Sequence, residues 1–208
     1  MNAVNQQESL LITENVKWFL AGLIEGEGSV CVSFKNHPTA RFGYYVDPEF
    51  FIYQHENARD LLELAKRVFG TGRIAPKPGN EVVLVYSIVS RRSLVEQVIP
   101  FYEQYMVYAS KYKQENFKMF KAVVDIMING GHHTKEGMLK IVDLAYSLNH
   151  AGKQRKRPKQ EVIDRILRDS TPNSEEPTEK IESELCGDTQ SGAEMTRPPE
   201  PSESNNSA

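Results

Sequence analysis

The stretch that decides the fold is Leu20-Ala21-Gly22-Leu23-Ile24-Glu25-Gly26-Glu27-Gly28. Upstream of it, Val16, Phe19, Leu20 and Leu23 recur at helical spacing behind Thr13, a residue suited to cap a helix. The spacing predicts a helix over residues 14–25, stopped by Gly26 and Gly28. Gly22 and Gly26 lie four apart and so share one face of that helix. Small residues at this spacing let two helix backbones approach closely. Glu25 and Glu27 stand at the C-terminal end, where the negative pole of the helix dipole disfavours acids. Acids set against the dipole imply a compensating cation, and carboxylate plus backbone carbonyl oxygens suit Mg²⁺. An isolated Glu-x-Glu at a helix end is ordinarily a solvated terminus, so the weight lies on the whole nine-residue string.

Downstream, Val30, Val32 and Phe34 alternate with Cys31, Ser33 and Lys35, which predicts a strand with one buried face. Asn36-His37-Pro38-Thr39 reads as a turn. Tyr44 to Tyr53 is a second strand with Val46, Phe50 and Ile52 inward. Leu61, Leu62, Leu64, Ala65 and Val68 form a helix that ends at Gly70. Gly72-Arg73-Ile74 opens a third strand, residues 76–80 turn, and Val82 to Val89 is a fourth, strongly β-branched strand. Helical patterns follow at about 93–104, 109–128, 134–149 and 159–169. The order is α-β-β-α-β-β-α with extra C-terminal helices and no second copy, which predicts a single α+β domain.

Charge divides the chain of 208 residues. Residues 171–208 hold nine acids and two bases, a net −7, while residues 1–170 carry +4. That tail is rich in Ser, Pro, Glu, Thr and Asn and poor in apolar residues, so it is expected to be disordered, with the folded domain over residues 1–170. The densest basic run, Lys153-Gln-Arg155-Lys156-Arg157-Pro-Lys159, suits either a solvated arm or a seat for a phosphate backbone. The longest clean apolar run, Trp18 to Ile24, is far short of the roughly 20 residues of a membrane span. No basic region precedes an apolar stretch at the N-terminus, so a secretory signal is not expected and an intracellular location is. Cys31 and Cys186 suggest neither a zinc site nor a disulfide framework, and the five histidines carry no ligand pattern.

The nine-residue string resembles the LAGLIDADG motif of homing endonucleases, with Gly26 in place of Ala and Glu25 and Glu27 in place of Asp. The family core is α-β-β-α-β-β-α with the motif on its first helix and a four-stranded antiparallel saddle sheet, the element order read above. The resemblance covers about residues 10–170. It implies a single-motif homodimer in which two motif helices pack together, through Ala21, Gly22, Glu25 and Gly26 here. It implies that Glu27 is a catalytic residue that binds the metal, that the carbonyl of Gly26 faces the metal, and that Glu25 is more structural. The metal would be Mg²⁺, with Mn²⁺ able to substitute. Phe51-Ile52-Tyr53-Gln54 resembles the end of the family's second strand and implies a solvent-ordering role for Gln54, with Arg59 beside the place of an expected basic residue. Lys111-Tyr-Lys113-Gln114-Glu115-Asn116-Phe117 resembles a Lys-x-Lys-Gln-x-Asn stretch whose first lysine is catalytic, which implies Lys111. Leu148-Asn149 and the basic arm, including Arg155 and Lys156, resemble a segment that touches DNA phosphates.

Strand alternation puts Ser33, Lys35 and His37 on an outer face with Tyr45, Asp47 and Glu49, and Arg73 and Lys77 join them from the third strand. The resemblance makes this face a reader of the major groove of double-stranded DNA, where all four base pairs are distinguishable. One motif supplies one metal-binding carboxylate, so cutting both strands implies two chains and a pseudo-palindromic target. The leading reading is a free-standing, intron-encoded homing endonuclease, in a bacterial cytoplasm or an organelle matrix. A maturase that binds its own intron RNA and a DNA-binding regulator without catalysis stand as alternatives on the same fold.

Overall fold

The computed structural model describes residues 12–149 and 157–169. The acidic segment 171–208, with Arg155 and Lys156 of the basic arm, lies outside the described residues. Helix α1 spans Glu14–Glu27, capped by Thr13, whose side chain accepts from the Val16 N–H. It runs through Gly26, where the sequence reading had it stop. Gly28 ends it in extended conformation while its N–H still reaches the Ile24 carbonyl. A Cβ there would stand 2.8 Å from the Ile24 carbonyl oxygen, so the junction needs glycine. The chain passes from helix to strand without a loop.

Strand β1, Gly28–Asn36, pairs antiparallel with β2, Tyr44–His55. After a short 3₁₀ turn, helix α2 covers Arg59–Phe69 and ends at Gly70 in the left-handed region. Strands β3, Arg73–Lys77, and β4, Asn80–Ile88, complete one antiparallel sheet of order β1-β2-β4-β3. Pro48 interrupts no ladder. It lies opposite Val32 on β1, ahead of the β4 ladder, which begins only at Phe50.

The predicted helix at 93–104 is three pieces: α3 Arg91–Ser93, a π-helical turn Leu94–Val98 and α4 Ile99–Tyr105. Pro100 is the physical reason. It lacks an N–H and its ring would meet the carbonyl four residues back. The ladder widens there, and the Ile99 N–H reaches back to the Leu94 carbonyl. Helices α5 Lys111–Ile128, α6 Lys135–Ser147 and α7 Lys159–Arg168 follow.

One face of the sheet is packed. Val30, Val32, Phe50, Ile52, Leu84, Tyr86 and Ile88 point into a continuous core with Leu20 and Ile24 of α1. The same core holds Leu62 and Phe69 of α2, Phe120 and Val124 of α5, Ile141 of α6, and Val162 and Ile166 of α7. Phe50 sits at its aromatic centre, edge-on to Phe69, Tyr86 and Tyr102 at 5.4–6.5 Å between centroids. The opposite parity of the strands forms the face that reads as solvent-facing. No helix among the described residues is long and apolar enough to cross a membrane.

Candidate active site

Because α1 extends to Glu27, both motif acids lie in its last turn. Their environments differ. Glu27 and Gly26 are exposed. Glu25 is half-buried, and its Oε1 accepts from the backbone N–H of Ser110 at 3.3 Å, at the N-cap of α5. An acid unfavourable against its own helix dipole is thus compensated by the positive end of another helix. Its Oε2 is buried without a hydrogen-bond partner. Glu25 is held inside its own chain, and Ala21, one turn earlier, is 6% exposed and belongs to the core. Of the four residues expected at a helix–helix interface, only Gly22 and Gly26 are open. A Cβ built on either meets nothing within 4 Å. Phe19, one turn before Gly22, leaves 54% of its surface exposed on the same helix.

The lysine at this turn is Lys113, not Lys111. Its Nζ donates to the Gly28 carbonyl at 2.5 Å, and it is partly buried. Burial pulls its pKa below that of an ordinary lysine, while the charges of Glu25 and Glu27 oppose the shift. Lys111 is the exposed first residue of α5. Residues two apart stand about 200° apart around a helix, so the two lysines face opposite ways. The sequence signal for Lys113 was present in the same Lys-x-Lys-Gln-x-Asn stretch, and the helix phase decides between its two lysines.

Gly28 pairs with Ile52, so Gln54 lies two residues past the position opposite the end of α1. Arg59 engages Glu63 one turn on, at 3.2 Å, both exposed.

On the open face of the sheet, antiparallel register lines up Ser29, Phe51, Ser87 and Arg73 across all four strands. Lys35 donates to Asp47 and lies 3.7 Å from Glu49, whose other oxygen is 3.8 Å from the Cys31 sulfur. Burial and the Asp47 charge raise the Glu49 pKa above the usual carboxylate value, against the pull of Lys35. The Ser33 hydroxyl is buried with no partner. His37 stands past the end of β1, edge-on to Tyr45 at 4.6 Å. Lys77 lies 5.0 Å over the Tyr53 ring. Lys35, Asp47 and Glu49 are therefore one compensated cluster rather than three separate solvated side chains.

Among the described residues no group of three or more His, Cys, Asp or Glu side chains could hold a metal by itself. The donors at the end of α1 are one exposed carboxylate, Glu27, with helix-terminal carbonyls. That set has the chemistry Mg²⁺ takes when one or two carboxylates share it with water and substrate phosphates.

An acid-tipped helix that feeds the edge strand of an open-faced antiparallel sheet defines an α+β fold of the homing-endonuclease type. The sequence pattern of the LAGLIDADG endonuclease family matches residues 20–124. The chain belongs to that family. It is 44% identical over 135 residues to DNA endonuclease I-CeuI of Chlamydomonas moewusii, covering 64% of this chain and 62% of that relative. It is 31% identical over 149 residues to homing endonuclease I-ApeII of Aeropyrum pernix, covering 70% and 86%. Its fold matches the structure of the group I intron-encoded homing endonuclease I-CeuI complexed with DNA, with a TM-score of 0.70 and 37% identity over 76% of this chain and 79% of that one.

Proposed function

We propose that the chain is a site-specific endonuclease of double-stranded DNA, encoded in a group I intron, that acts as a homodimer on a long pseudo-palindromic target. The observation that carries this reading is the corner where Glu27, the last residue of α1, meets Lys113 on the Gly28 carbonyl beside an open sheet face. In it, Glu27 and the Gly26 carbonyl would hold Mg²⁺ when the metal is bound. Held there, the ion would supply Lewis-acid chemistry, lowering the pKa of a water and stabilising charge on the leaving 3′ oxygen. Lys113 supplies a fixed positive charge at the phosphate, anchored by the Gly28 carbonyl. Gln54, two residues past the position opposite the end of α1, orients solvent. The sheet face reads base edges, with Lys35 and Arg73 suited to guanine and Asp47 or Glu49 to the cytosine amino group. On binding DNA, the Lys35–Asp47 contact opens so that each partner can turn to a base.

One acid-tipped helix gives one cut, so two strands need two copies, and the open Gly22 and Gly26 face is where the second helix packs. The deciding experiment is cleavage of the intronless host-gene duplex in Mg²⁺, with Ca²⁺ in its place as the binding control. Linear product in Mg²⁺ and binding without cleavage in Ca²⁺ support the reading. Tight binding with no strand cut in any divalent metal overturns it in favour of a DNA- or RNA-binding role.

A further inference from the structure

The seven residues His37–Gly43 join β1 to β2, and α7 straps the base of that turn. The Arg165 Nη1 donates to the Asn36 side-chain oxygen at 3.3 Å on one side of the turn. Its guanidinium lies 4.6 Å over the ring of Tyr44 on the other side. Between them, Gly43 has φ of 72°, and a Cβ there would fall 2.1 Å from the Arg165 Nη2. Arg157 stands 5.0 Å from the same Tyr44 ring, so that ring is flanked by two guanidiniums. Val162 and Ile166 fix α7 in the core, each fully buried. From the far side, Arg41 donates to the His133 carbonyl and Phe42 is 4% exposed. The turn closes on itself through His37 N–H to the Gly43 carbonyl at 3.0 Å.

A seven-residue surface turn has no need of this much bracing for chain reversal alone. The bracing fixes His37, beside Asn36, and Tyr45, beside Tyr44, and these two rings are packed edge-on at 4.6 Å. β1 has nine residues, so its far end lies about 26 Å from the acid-tipped end of α1. At about 3.4 Å per base pair, that is roughly eight base pairs from the cut. Readout by hydrogen bonds fails when donors are misplaced by about half an ångström or more.

We propose that α7 is a brace for this turn, and that Arg165 is a positioning residue for reading the outer base pairs of each half-site. The inference rests on the proposed DNA-cleaving function. It gives the extra C-terminal helix a role distinct from packing, since its Arg165 ends on the hairpin and not in the core.

The test uses the full chain and a randomised duplex library, selected on wild type in Ca²⁺, followed by every single-base variant of the selected duplex. Arg165→Met keeps the stem and removes the guanidinium, and Asn36→Ala removes its exposed acceptor without touching α7. Both are expected to lower discrimination about tenfold at the outer positions, the scale of one base contact, and to leave the inner positions and the melting temperature unchanged. Arg165→Lys is expected to recover little of it, because a point charge cannot stack and fork at once. An unchanged profile, or an equal loss at every position, overturns the brace. Should Arg165→Met unfold, the Asn36→Ala profile decides alone. If the wild type itself selects no sequence, the DNA reading fails first and the brace falls with it, an outcome distinct from a selective wild type with an indifferent variant.

Discussion

The ammonium of Lys113 caps the carbonyl of Gly28, the residue at which the motif helix becomes the edge strand. One lysine thus ties the start of β1 to α5 and puts a cation next to both motif acids. Lys113→Met should abolish cleavage and lower the melting temperature, since it removes both the charge and the anchor. Lys111→Met, at the exposed helix start, should do neither beyond a modest loss of phosphate attraction. Single-turnover cleavage of a cognate duplex by both variants checks this. A larger loss from Lys111→Met would return the catalytic role to the first lysine.

Glu27→Gln keeps shape and removes charge from the one exposed motif acid. Cleavage should fall by about a hundredfold or more, the scale on which single placed electrostatic groups act. Binding in Ca²⁺ should hold, because groove and phosphate contacts along the sheet are untouched. Glu25→Gln behaves differently. Its carboxylate holds the Ser110 N–H, so the variant should lose stability and only secondarily activity. Melting curves and cleavage rates, measured side by side, separate the two acids.

Element order was legible because each segment carried its own period and its own breakers. The alternation Val30, Val32, Phe34 gave the inner face of β1, and Gly70 gave the end of α2. What local pattern could not give was rotation and junction. Whether α1 stops at Gly26 or runs to Glu27 depends on a strand that starts at Gly28 and takes over the chain at once. Ala21 and Glu25 share a helix side with one another and not with Gly22, which only packing against the core and α5 decides. The π turn at Leu94–Val98 was signalled by Pro100 but read as continuous helix. Arg157 read as part of a basic arm, and Arg165 on α7 carried no local signal, because nothing local says that both end on Tyr44.

Glu49 offers a pH test of the sheet face. Its pKa in the fold is raised from the ordinary 4.5, by burial first and the Asp47 charge next, with Lys35 opposing. The sign follows directly. A raised folded pKa contributes stability that is fully present below 4.5 and lost as pH rises through the folded value. Glu49→Gln should therefore raise the melting temperature at neutral pH and leave it nearly unchanged at pH below that window. Thermal melts of both proteins across mildly acidic to neutral pH check the sign. A variant that is less stable than wild type at neutral pH would mean that the Lys35 and Cys31 contacts outweigh the cost of charging Glu49.

Gly22 separates a lone chain from a paired one. In one chain, a Cβ on Gly22 meets nothing within 4 Å, so Gly22→Ala should stabilise α1 by about 0.8–1 kcal/mol through helix propensity alone. In a dimer that packs α1 against its copy, the same methyl group is doubled at a close helix crossing and should force the backbones apart. The expected outcome is a weaker dimer, seen as a rise in the dissociation constant by sedimentation equilibrium, with the isolated chain no less stable. Gly26→Ala, a turn nearer the acids, should do the same and also slow cleavage, because it shifts the two Glu27 side chains relative to each other. Gly22→Leu should leave monomer or aggregate. If Gly22→Ala raises the melting temperature and leaves self-association unchanged at every concentration, the open face of α1 is not the dimer seam, and two-strand cleavage would need another arrangement of copies.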